Sequence, residues 1–338
     1  NWESVKPMSS ILSTGRTIKF RVFLRNGAAA VMKVPQNKFV LEPSSEVEAY
    51  ETDRMLGFNR VPPVAWVSFP LKYLQAACGS KVLPAGTRQL PQEHQRKAFY
   101  SQWFQKFVVE YKQSAAALHH DHATKEQMLY VSLQIWMKDV HNADETALRP
   151  PPNYRSLMRA DKPFPNDASN WTRAGVAELS DVSLFDFIIG NTDRWFGHNS
   201  FAFGGCDAAT RPPPRCHNPP EPGKTIKGTP MYAFIDQGSS FYRSGPPDQT
   251  LYYGSKSNPT VDDLCRFRKS TAEAIVAVAR LKDGRKDYYA EMQARLPRGI
   301  FAIGSKYLVK AGRTRLEHLA KMIEGCLEKH PREDVLYF

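Results

Sequence analysis

Residues 17–34, TIKFRVFLRNGAAAVMKV, set two β-rich segments on either side of Asn26-Gly27, and no other stretch limits the fold as tightly. An Asn-Gly pair between such segments is the strongest short hairpin signal, because both turn residues tolerate a positive φ. Ile18, Phe20, Val22 and Leu24 alternate with Lys19 and Arg21, the period of a strand with one buried face. The second strand should end at Lys33, just before Pro35. An antiparallel sheet therefore opens the chain.

Helices come later. Residues 43–58 offer Ser44 and Ser45 as N-caps, early acidic residues and Gly57 as a stop, which predicts a helix of modest length. VPPVAWVSF then returns to extended structure, helical texture resumes over 94–118, and LYVSLQIWM at 129–137 reads as a buried strand. Residues 144–170 and 204–230 are Pro-rich and read as loop, whereas 176–189, 259–280, 285–296 and 313–329 show helical spacing. Sheet first and helices afterwards make an α+β chain.

With 338 residues, 42% of them hydrophobic, the chain can bury a substantial core. Lys and Arg outnumber Asp and Glu by 46 to 34, so its field attracts anions. The cations are scattered, and no basic arm or zinc-finger pattern points to nucleic acid. No apolar run reaches the ~20 residues that span a bilayer, and NWESVKPMSS lacks a leader pattern, which suits a cytosolic protein or a mature chain without membrane insertion. Five cysteines allow two bridges and one thiol, or five thiols. The sequon Asn170-Trp171-Thr172 falls where a surface loop is expected and would make the protein a glycoprotein if secreted.

The chemistry is concentrated in two segments. In FDFIIGNTDRWFGHNSFAF at 185–203, an apolar run stops at Gly190 and delivers Asn191, Asp193, Arg194 and Asn199 together; FIDQG at 234–238 repeats the design around Asp236. Five consecutive core residues, Phe185 to Ile189, fix the backbone just ahead of a carboxylate, as a catalytic loop requires. Phosphoryl transfer needs a cation for the nucleotide phosphates, an acid to orient it, a carboxylate for the acceptor proton and oxygen ligands for divalent metals. Lys33 at a strand end, Glu46 early in the next helix, Asp193, Asn199 and Asp236 supply these roles in order. Three of them have an ordinary alternative: Lys33 as a solvated lysine, Glu46 as one of three helix-terminal carboxylates with Glu42 and Glu48, and Asp193 as a turn cap paired with Arg194. The tract His119-His120-Asp121-His122 reads as a flexible loop, and Cys206, Cys216 and His217 are too few for a closed zinc site.

These stretches, with SEVEAYETDRMLGFNRVPPVAW, SLQIWMKD, LCRFR and EGCLEKHPREDVLYF, resemble the secretory-pathway kinases of the four-jointed and Golgi casein kinase type, a group that includes the glycosaminoglycan xylosylkinase. The likeness covers most of the chain in order. It implies an atypical bilobal kinase-like fold with a small β-containing N-lobe, 1–136, a larger helical C-lobe, 137–338, and an active site between them. It further implies ATP with Mn²⁺ or Mg²⁺ as cofactors. Ser13, Thr14 and Gly15 would cover the phosphates, Lys33 would contact them, Glu46 would pair with Lys33 or reach the metal, and Gln134, Ile135 and Trp136 would lie near the adenine. Asp193 would be the catalytic carboxylate, with Asn199 and Asp236 as metal ligands. The implied acceptor is a hydroxyl of a secreted protein or a glycan, and the implied location is the Golgi lumen or outside the cell. The same resemblance pairs Cys265 with Cys326; Cys206 would pair with Cys216, leaving Cys78 free. The continuation Trp195-Phe196-Gly197-His198-Asn199 also resembles phosphatidylinositol 4-kinases, which keeps a lipid kinase as an alternative beside a binding-only pseudokinase.

Overall fold

The computed structural model describes the whole chain except residues 1, 9–16, 80–100, 138–139, 144–145, 147, 150, 152, 167, 169, 195–197, 205–229, 243–263 and 282–286. Ser13, Thr14 and Gly15 lie outside the described residues, as do Cys206 and Cys216. The chain divides into two compact units, one of residues 1–48, 63–136 and 296–305, the other of 49–62, 137–295 and 306–338.

The first unit is built on an antiparallel sheet. Its strands are β1 (Trp2–Pro7), β2 (Lys19–Leu24), β3 (Ala29–Lys33), β4 (Val64–Pro70), β5 (Leu118–His120) and β6 (Gln127–Ile135). They run in the order β1-β2-β3-β6-β4, and β5 also pairs with β6. The expected hairpin is β2–β3, with a difference at its turn. Gly27 alone takes a positive φ, 79°, while the Asn26 carboxamide oxygen accepts from the Ala28 amide and the Leu24 amide bonds the Ala28 carbonyl. This is the three-residue loop with a left-handed glycine, not the two-residue turn. Strand β1 was not anticipated from the sequence. Trp2 holds it in place by packing on Phe69 and Tyr73, with ring centroids 5.2 and 4.5 Å apart.

Alternation on β2 has the expected consequence: Ile18, Phe20 and Val22 are fully buried beside Met32, Val34, Leu129 and Val131. Helix α2 (Leu71–Gly79) closes this core with Leu71, Leu74 and Cys78. Cys78 is free and buried, and burial pushes its thiol up to about 12. The histidine tract is ordered, not a loose loop. His119 stacks on Tyr130 at 4.0 Å and bonds Ser68, and Asp121 closes the following turn on the Ala123 and Thr124 amides.

Helix α1 (Glu42–Leu56) starts earlier than expected, so Ser44 and Ser45 sit inside its first turn instead of capping it. Ser45 donates its amide to the Leu41 carbonyl.

The second unit carries helices α3 (Tyr154–Leu157), α4 (Asn170–Ile189), α5 (Lys269–Ala279), α6 (Tyr288–Arg295), α7 (Lys306–Lys329) and α8 (Arg332–Val335). A small antiparallel sheet joins β7 (Val140–Asn142), β8 (Phe201–Phe203) and β9 (Met231–Ala233) in that order. Helix α4 begins at the sequon's Asn170, which opens a helix where the sequence suggested a loop. Arg266 is fully buried, donating to the carbonyls of Leu157, Lys162 and Asp334 and lying over the rings of Phe164 and Tyr337. That clamp fixes the terminal residues, and the Phe267 amide adds a bond to the Val335 carbonyl.

Cys265 is bonded to Cys326, 61 residues on, and ties the segment preceding α5 to α7. On the chain-entropy model a loop of this length is worth about 4 kcal/mol. Replacing both cysteines by serine should lower the denaturation free energy by roughly that amount, read from the midpoint shift in urea.

Candidate active site

In the first unit, Lys33 ends β3 and is only 4% exposed. Its ammonium lies 2.5 Å from Glu46 and 3.2 Å from Glu42. The two glutamates are one helical turn apart on α1, so both reach the same cation. Glu42 also accepts from Thr17 and from Gln36, and Gln134 at the end of β6 donates to Glu46 at 3.4 Å. Thus Lys33 is no solvated lysine, and Glu42 shares it with Glu46. Ile135 follows on the same strand. Trp136, next along, is partly exposed, and the Arg21 guanidinium lies 4.4 Å above its ring.

Glu48 lies elsewhere: a Cβ added at Gly304 would come within 2.8 Å of its carboxyl oxygen. Burial pushes this carboxyl up to about 8. Between the ordinary carboxylate range and pH 8 the folded chain therefore keeps a proton that the unfolded chain has released. Stability must fall as pH rises through that window. Glu48→Gln, neutral throughout, should lose less stability between pH 5 and 8 than the wild type, by on the order of 2 kcal/mol in denaturant titrations.

In the second unit, the apolar run of α4 ends at Gly190. Its amide and that of Asn191 close back on Phe187 and Asp186, and Gly190 has φ 66°. A Cβ there would meet the Arg315 guanidinium at 3.0 Å. Arg315 comes from α7, donates to the Ile188 carbonyl, and caps the helix end; burial holds it down at about 10. Glycine is thus required at the exit from the helix.

Beyond it, Asn191 accepts from the Asp193 amide, and the Asn199 carboxamide donates to the Asp193 carbonyl at 2.9 Å and to its carboxylate at 3.0 Å. His198 lies 3.6 Å from the same carboxylate, whose side chain is 33% exposed. Arg194 does not pair with Asp193. It is buried against Asp186 at 2.8 Å and donates to the carbonyls of Asn199 and Ile235 and to the Gln237 carboxamide. Gln237 is also bonded to Asn191. This explains the polar residue after Asp236: the position faces a buried polar network, where an apolar side chain would leave donors unmet. Phe185 stacks on Phe234 at 4.8 Å, so the two apolar lead-ins pack together.

Asn199 and Asp236 both have left-handed backbone, φ 52° and 60°. Asn and Asp are the non-glycine side chains that enter this region most readily, so both positions suit the residues they carry. Among the described residues no three His, Cys, Asp or Glu side chains form a ready metal cage. Asn199 and Asp236 nevertheless supply hard oxygen donors of the kind Mg²⁺ and Mn²⁺ select, with phosphate oxygens and water completing the shell. The bond from one guanidinium to the carbonyls at 199 and 235 keeps these two segments side by side, so the residues fit such an ion. Sequence reasoning singled out Asn199 and Asp236 but missed Arg194, Asp186 and Gln237 as the groups bonded around them. The signal was the fully apolar setting of Asp186, which obliges a buried partner.

The fold defined by these elements is a kinase-like α+β fold. It is shared by the Golgi casein kinase, at 17% identity with a TM-score of 0.56 over 99% of this chain and 76% of that one. The Golgi casein kinase with Mn/ADP bound matches at 15% and 0.55, covering 99% and 75%. Hydra Fam20 with sugar matches at 17% and 0.56, covering 99% and 88%. No family model and no curated protein sequence matches the chain. Among the described residues no helix is long and apolar enough to cross a membrane.

Removing the cation from the Lys33 cluster tests it. Lys33→Met leaves two carboxylates buried together and should destabilise the chain by about 3–5 kcal/mol. Adding Glu46→Gln should recover part of that loss, whereas strictly additive effects in chemical denaturation would show that the residues do not act together.

Proposed function

We propose that this chain is a secretory-pathway kinase that transfers the ATP γ-phosphoryl group to a hydroxyl of a secreted protein or a glycan, in the Golgi lumen or outside the cell. The observation that carries this reading is Asp193: a part-exposed carboxylate, oriented by Asn199, on a segment anchored by Arg194 and Gly190. In the reaction the acceptor oxygen bonds to the γ-phosphorus as the bond to the ADP oxygen breaks, and Asp193 accepts the hydroxyl proton. Lys33, oriented by Glu46 and Glu42, holds the phosphates. Gln134, Ile135 and Trp136 border the nucleotide base, with Ser13, Thr14 and Gly15 over the phosphates. A divalent ion held by Asn199 and Asp236, when bound, neutralises charge developing on the phosphoryl oxygens. Lys33 with two carboxylates is net negative, which supports entry of the nucleotide as its metal complex.

The neighbour with Mn/ADP supports nucleotide and metal use. The Cys265–Cys326 bond favours the secretory reading over a cytosolic lipid kinase, since such bridges persist in oxidising compartments. Eight acidic side chains but four Lys and Arg side chains are buried among the described residues. The rest of the chain is accordingly more basic than the total of +12 suggests, which supports an anionic acceptor.

Asp193→Asn keeps the shape but cannot take the proton. It should retain metal-dependent stabilisation by ATP while turnover per folded molecule falls about 100-fold or more. Casein, a xylose-containing glycan primer and phosphatidylinositol, assayed in parallel with labelled ATP and Mn²⁺, identify the acceptor class. Wild-type turnover in the variant would remove Asp193 from the chemistry.

A further inference from the structure

Resting on that reading, we propose that Arg194 is a positioning residue that holds the two metal-ligand segments in register and thereby sets how much divalent cation the enzyme requires. Arg194 is 1% exposed. One nitrogen pairs with Asp186 at 2.8 Å. A second donates to the carbonyl of Asn199. The third donates at 3.0 Å both to the carbonyl of Ile235 and to the Gln237 carboxamide.

Those acceptors are specific in place. The Asn199 carbonyl belongs to one proposed ligand, and the Ile235 carbonyl belongs to the peptide directly before the other, Asp236. Both proposed ligands have left-handed backbone, φ 52° and 60°, which turns each out of the adjoining strand direction. Thirty-odd residues of sequence separate the two segments; the β8–β9 pairing brings them alongside, and the guanidinium spans the two backbones just beyond the paired strands, where the ligand oxygens lie. A planar guanidinium spreads five N–H donors over three nitrogens and so reaches acceptors placed on different segments, whereas an ammonium gathers its three donors on one atom. Asp186, buried at the end of α4, fixes where that grip is applied. Asn191 adds a smaller link through Gln237 at 3.2 Å.

A merely structural brace would lower stability and leave metal affinity alone, so the test reads metal affinity. The full-length chain is titrated with Mn²⁺ at saturating ADP, following thermal stabilisation and free Mn²⁺ by electron paramagnetic resonance, at a temperature where circular dichroism shows it folded. Arg194→Lys keeps the charge beside Asp186 and loses the fork. We expect its Mn²⁺ midpoint to rise about 10-fold or more, the usual effect of removing support behind metal ligands, with turnover substantially recovered at excess Mn²⁺.

A folded Arg194→Lys protein with the wild-type midpoint overturns the proposal, however much its melting temperature drops. If that variant does not fold, Gln237→Ala, which keeps the Asp186 pair, should raise the midpoint several-fold, and an unchanged midpoint there overturns the proposal equally. A wild-type chain with no Mn²⁺-dependent response to ADP would instead overturn the kinase reading itself.

Discussion

The buried pair of Asp186 and Arg194 is the interaction around which the polar segments of the second unit are arranged. Withdrawing two charges from water costs several kcal/mol per ion, and attraction alone seldom offsets it. Here the remaining donors and acceptors are used as well: Asn191 bonds Asp186, and Arg194 bonds two carbonyls and Gln237. Desolvation raises the Asp186 carboxyl above its usual range, while the guanidinium acts in the opposite direction. The result joins the end of α4, the segment entering β8 and the segment leaving β9 through one side chain.

The first unit solves a similar problem differently. Lys33 is held by two carboxylates on successive turns of α1, and each carboxylate has a further polar partner from the sheet or the segments beside it. An ammonium suits this place because its donors are not confined to a plane, and it can exchange a carboxylate for a phosphate oxygen with little rearrangement. Arginine occupies the positions where planar, permanent bracing is needed: Arg194 behind the ligands, Arg315 at the helix end and Arg266 under the terminal residues.

A third cluster shows that buried charge is a general device in this chain. Glu178 and Asp181 on α4 are matched by Arg60 and Arg268, with Thr271 and the Tyr232 amide taking remaining oxygens. Desolvation raises both carboxyls, and the arginines counter it. The cluster ties β9 to the long helix that precedes Asp193, so the segments carrying Asp193 and Asp236 are set from a common support.

By itself the sequence determined whatever depends on neighbouring residues. The Asn26-Gly27 hairpin, the alternation that buries Phe20 and Val22, the helical spacing over 176–189 and 313–329, and the two apolar runs that stop before Asp193 and Asp236 are local patterns. Boundaries were less legible: α1 begins before its apparent caps, α4 begins at the sequon, and β1 is held by rings from β4 and α2 that no local pattern could announce. Only the tertiary structure decided which charge meets which. Asp193 and Arg194 are adjacent in sequence yet turn to different partners, Glu42 and Glu46 share one lysine, and Gln237 is polar because Arg194 and Asn191 converge on it. Partner choice for a buried charge is set by desolvation and by donors brought from distant segments, and neither quantity exists until the chain has folded.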